Sequence, residues 1–153
     1  MFRLEPGSTG FGAGREPELP RIDLRGFRTG CHLAARAAGG TLEGITERTY
    51  PGTFHAAVVT TATERFRILG HAHHPWVAVT EDGTGNWADP RVFVDPPAWT
   101  GVFGDLGFTV LSRAVLGAPL SDVDTSALRW PDWTQIRSWK PETVGRTIFN
   151  CWD

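Results

Sequence analysis

Thr53-Phe54-His55-Ala56-Ala57-Val58-Val59-Thr60, then Arg65-Phe66-Arg67-Ile68-Leu69-Gly70-His71-Ala72-His73, then Trp76-Val77-Ala78-Val79-Thr80: these three runs decide the fold. Each is short, apolar and rich in branched or aromatic residues, and the first two alternate with a period of two, as strands do. A tight turn at 62–64 joins the first two runs, and Pro75 separates the second from the third. Phe54, Ala56 and Val58 and their counterparts Phe66, Ile68, Gly70 and Ala72 are expected to share one core. That condition fixes the register and sets His55 opposite His71, with His73 two residues further along the same outer face.

Upstream, residues 42–48 read as a weak strand that ends at the turn Tyr50-Pro51-Gly52. Before it, Thr29 is expected to cap a short helix over 30–38, with Leu33, Ala34 and Ala37 on one face and Gly39-Gly40 as its stop. Residues 1–30 carry Gly7, Gly10, Gly12 and Gly14 and then Pro17 and Pro20, and read as a loosely structured N-terminal arm docked by Ile22, Leu24 and Phe27. No strand precedes those glycines and no Lys-Ser/Thr follows them, so they do not form a phosphate loop.

Downstream, 81–86 is a turn cluster and 91–94 a returning strand. Asp95-Pro96-Pro97 is expected to start a helix. Trp99, Val102, Phe103 and Leu106 share a face of it, and Gly107 ends it. A strand over 108–111 follows, then a turn of helix from Ser112 to Leu116, loops over 117–135, and a strand over 136–139. A final helix opens at Pro141 with Val144, Ile148 and Cys151 on one face. The order predicts a single α+β domain over residues 31–153: a mostly antiparallel sheet of about four to six short strands with two or three helices packed on one face.

The chain has 153 residues and a formal net charge of −2. Residues 76–120 hold five acidic and two basic side chains. No segment forms a basic stripe, which argues against a nucleic-acid partner, and there is no polybasic patch or long apolar run to engage a membrane. The opening residues lack the apolar core of a secretory leader, so a cytoplasmic location with Cys31 and Cys151 reduced is expected. Of the 15 basic residues 14 are Arg, a bias typical of GC-rich bacterial genomes.

The stretch Leu33-Ala34-Ala35-Arg36-Ala37-Ala38-Gly39-Gly40-Thr41-Leu42-Glu43, with the element order around it, resembles the opening helix and first strand of small bacterial α+β immunity proteins. The resemblance implies a protein that binds and neutralises a cognate polymorphic toxin, and it carries no catalytic motif to this chain.

Three constellations are candidate sites. His55, His71 and His73, on neighbouring strands, are placed to hold Zn²⁺ with an open fourth position, which would make the chain a small metal-dependent enzyme. Trp130, Trp133, Trp139 and Trp152 crowd residues 130–152, as in a contact surface or a Trp-lined small-ligand pocket. Within them Trp130-Pro131-Asp132-Trp133 reads as an exposed turn, and Glu81 and Asp82 as an acidic stretch beside it in function. Cys31, among alanines, reads as a buried thiol. The leading expectation is a non-enzymatic protein-binding module with no cofactor, whose partner surface includes Trp130, Asp132, Trp133, Glu81 and Asp82.

Overall fold

The computed structural model describes residues 1–12, 19–81 and 92–153. The expected Gly14 and Pro17 of the arm, the turn over 82–86 and Asp82 itself lie outside the described residues.

Helix α1 (Leu24–Ala37) starts earlier than the sequence suggests. Its cap is Asp23, whose Oδ1 accepts the Gly26 N–H at 3.0 Å, and not Thr29. The buried residues Phe27, Gly30, Cys31, Ala34 and Ala35 recur at three and four, one stripe of a helix. Gly39, with φ of 67°, turns the chain out of it. Strands β1 (Thr41–Thr46), β2 (Phe54–Thr60), β3 (Arg65–His71) and β4 (Trp76–Glu81) follow as an antiparallel meander. Strand β5 (Thr109–Val110) adds in parallel to β4, giving the sheet order β1-β2-β3-β4-β5. Beyond β4, Phe93 makes an isolated bridge to Thr80, so of the strand expected over 91–94, whose Arg91 lies outside the described residues, residues 92–94 meet the sheet only there. The fold is the α+β class expected, a five-stranded, mostly antiparallel sheet with helices packed against it.

The β2–β3 register differs from the expected one by one residue. Thr60 pairs with Arg65 across residues 61–64, closed by Thr61 N–H to Glu64 O at 2.8 Å, so Phe54 faces His71 and His55 faces Gly70. The reason is that the sheet is buried on both sides. One face carries Phe54, Ala56, Leu69, Trp76 and Ala78, and the other carries Ala57, Val59, Ile68 and Val77. With both parities buried, apolar alternation cannot select a register.

On the second face lie α1 and a 3-10 helix, Ala98–Leu106. The ring of Phe27 occupies the space a Cβ at Gly70 would need, so only glycine permits this approach of helix to strand. The 3-10 helix has three residues per turn, which aligns Thr100 with Phe103 as its buried pair, while Leu106, at the end of the helix, is exposed. On the first face lie α2 (Arg113–Leu116), α3 (Trp130–Trp139) and α4 (Val144–Ile148), through Leu116, Ile136, Val144 and Ile148. Ser112 caps α2 as expected, accepting the Val115 N–H at 3.2 Å. Helix α3 replaces the expected loop and strand: Pro131 stands in its first turn, where a missing N–H costs nothing.

Residues 1–12 form no helix, and of them only Arg3 makes an isolated bridge, to Asp124. Leu4, Ser8 and Thr9 are nevertheless fully buried. Cys31 is buried and its thiol is pushed up to about 12 by desolvation, which leaves it unreactive at neutral pH. Neither Cys31 nor Cys151 forms a disulfide, and thermal unfolding is expected to give the same Tm with and without dithiothreitol. A fall of several degrees on reduction would show a disulfide.

Candidate functional site

The histidines form a structural cluster around the end of β3. His71 is fully buried against Trp76 and Phe149, with ring centroids 5.2 and 6.0 Å away. Its Nδ1 accepts the N–H groups of His73 and His74 at 3.1 and 3.2 Å, so its proton is on Nε2, which donates to Ser8 O at 2.9 Å. His55 projects from the opposite face toward Phe27, its Nδ1 accepting the Arg48 N–H at 2.8 Å. His73 donates from Nδ1 to Pro20 O at 2.9 Å, and His74 from Nε2 to Pro6 O at 2.8 Å.

This corrects the expected metal site. The one-residue difference in register puts His55 and His71 on opposite sides of the sheet, and both nitrogens of His71 are occupied by main-chain groups. Among the described residues no three His, Cys, Asp or Glu side chains are placed to hold a metal ion. Burial lowers the pKa of His55, His71, His73 and His74 below the ordinary histidine value, His71 furthest. At neutral pH the cluster is therefore uncharged.

The tryptophans separate by exposure. Trp130 is 64% exposed at the start of α3 and Trp139 is 48% exposed at its end. Trp133 is half-buried against the core, with the Arg137 guanidinium 6.0 Å from its ring centre. Asp132 is 1% exposed and has no surface to offer a partner. Its carboxylate accepts the N–H groups of Gly7 and Thr9, each at 3.0 Å, and the Thr9 hydroxyl. The expected exposed turn is thus a helix start with one outward ring, Trp130, and one inward carboxylate. Glu81 is exposed and, with Glu64, Arg65, Phe66, Asp95 and Pro97, borders a cleft of about 570 Å³.

Sequence reasoning did not assemble the cleft at the far end of α3. Lys140 there takes a left-handed conformation, φ 49°, and turns the chain so that Trp139 meets Trp152. The two indoles are stacked, 5.8 Å between centroids and 2° between planes. They border a cleft of about 400 Å³ with Lys140, Glu142, Arg146 and Asn150. Exposed Tyr50 lies nearby in contact with Asp153, its hydroxyl 3.1 Å from Oδ1. The signal available in the sequence was the density of Trp; the turn at Lys140 that pairs two of them has no sequence mark.

No helix among the described residues is long and apolar enough to cross a membrane. No protein-family model, curated protein or solved structure matches this chain.

Proposed function

We propose that this chain is a non-enzymatic protein-binding module of the immunity type, which neutralises a bacterial toxin by contact through its C-terminal face. The observation that carries the reading is the stacked Trp139–Trp152 pair at the mouth of the cleft, with Trp139 half exposed. Large rings held rigid at a surface bury much area in a contact and lose little rotamer freedom, which is why Trp dominates interface hot spots. Lys140, Arg146 and Glu142 together give the rim both signs of charge for orienting a partner. The acidic border of Glu64, Glu81 and Asp95 supports a basic partner by long-range steering, an effect that salt weakens.

The test is co-expression with the product of the reading frame next to this one. Wild-type chain is expected to bind that product and to rescue growth of cells that express it. Trp139→Ala is expected to fold normally and bind about 30-fold more weakly, a loss of about 2 kcal/mol. A folded Trp139→Ala protein with unchanged affinity would move the interface away from this face. Failure of the wild-type chain to bind or to rescue would end the immunity reading.

A further inference from the structure

The histidine turn lies outside the lining of the proposed contact face, and it has a chemistry of its own. His71 and His74 each donate to a carbonyl of the N-terminal segment, Ser8 O and Pro6 O, and His73 donates to Pro20 O. The neutral His71 ring has a single place for a second proton, Nδ1. That atom already accepts two main-chain N–H groups, at 3.1 and 3.2 Å. A proton there would put three donors face to face, opening the turn that positions His73 and His74. The charge would also be fully buried.

We propose that residues 71–74 are a proton-sensitive clasp, which holds residues 6–9 in place while its histidines are neutral and releases them on acidification. The charged and titratable groups around the clasp come from every side. Arg48, after β1, and the other two histidines of the turn oppose a proton on His71. Glu5 in the N-terminal segment and Asp132 on α3 favour one on His74, while Arg21 and Arg48 oppose one on His73. Nε2 of His73 has no hydrogen-bond partner among the described residues, so protonation there forfeits no bond. Protonation at His71 is the step that breaks the turn.

The sign follows from burial. Each of the three histidines of the clasp is held below its ordinary value, so the native state binds fewer protons than the released state. The grip is complete above about pH 6.5 and weakens as pH falls below it. From the other side, Asp132 and Asn150 hold the same segment, the latter through Nδ2–H to Thr9 O at 3.1 Å. Asn150 also borders the Trp139–Trp152 cleft, so release loosens one wall of it.

The test is amide hydrogen exchange on the full chain, read by NMR as protection factors between about pH 7.5 and about pH 5. The amides of Gly7, Ser8, Thr9 and Gly10 are expected to lose protection by up to about tenfold per pH unit below about pH 6.5. Those of β2 and β3 keep theirs. His71→Asn puts an amide oxygen where Nδ1 accepts and adds no titrating group, so the acid step is expected to vanish or shrink by most of its size. His32→Asn, on the exposed side of α1, leaves it unchanged. Protection at residues 7–10 that stays flat to about pH 5, an unaltered step in His71→Asn, or simultaneous loss across the sheet would each overturn the clasp. Should His71→Asn not fold, side-chain nitrogen spectra of the wild type decide. His71 must be the Nε2–H tautomer at neutral pH and must take its proton in the range where residues 7–10 open; a proton taken up without opening overturns the proposal.

Discussion

Replacing Asp132 by Ala is expected to destabilise the protein by about 3–5 kcal/mol, because three buried donors lose their acceptor together. The carboxylate is 1% exposed, and the Gly7 and Thr9 N–H groups and the Thr9 hydroxyl all converge on it. Gly7 and Thr9 are both buried, so these donors have no ready path to water. Against a typical domain stability of about 5–15 kcal/mol, this is a large fraction. Asp132→Asn keeps the volume and one oxygen but turns an NH₂ group toward a donor, and should lie between wild type and Ala. Urea denaturation measures both. A loss below about 0.5 kcal/mol for Asp132→Ala, the size of a surface change, would show that the loop over residues 7–9 does not depend on this anchor.

Phe103→Ala is expected to cost about 3–5 kcal/mol, the usual range for a buried Phe. Its ring is fully buried, 6.0 Å from the ring centres of both Phe27 and Phe108. The wall of its pocket on α1 is Gly30, where an added Cβ would collide with the Phe103 ring. Glycine has no side chain to relax into the vacated space, so the cavity persists. A double-mutant cycle isolates this contact. Gly30→Ala should destabilise the wild type and be tolerated, or favourable, once Phe103 is Ala. Equal effects of Gly30→Ala in both backgrounds would show that the two positions do not touch in solution.

Much of the architecture was legible because it rests on local grammar. The period-two runs of β2 and β3, the short apolar run of β4, the Ser112 cap, the left-handed Gly107, and Val144 with Ile148 in one helix all stand where residue types put them. The departures have a common source in tertiary burial. Covering both faces of the sheet removed the polar–apolar contrast that would have set the β2–β3 register, and with it went the proximity of His55 to His71. The sequence points to Thr29 rather than Asp23 as the start of α1, and the reason Gly30 sits inside the helix, the space a Phe103 ring from a distant segment needs, is tertiary. Pro131-Asp132 is equally good grammar for a turn and for a helix start; the partners of Asp132, more than 120 residues away in sequence, decide it. The candidate contact site was legible as a concentration of tryptophans and illegible as a geometry, since the stacking of Trp139 on Trp152 depends on one left-handed residue between helices.

The clamp on residues 7–9 also sets a timetable. Gly7 and Asp132 are 125 residues apart in sequence, and Thr9 and Asn150 are 141 apart. At a synthesis rate of about 5–20 residues per second, Gly7 is made roughly 6–25 seconds before Asp132. During that interval Leu4 and the histidine turn have no complete binding pocket, while the β2–β3 hairpin, whose partners are neighbours in sequence, is free to form. A ribosome that stalls after β5 and before Asp132 therefore holds a chain whose strands are all made but whose opening residues lack the Asp132 and Asn150 clamps, within reach of chaperones and proteases.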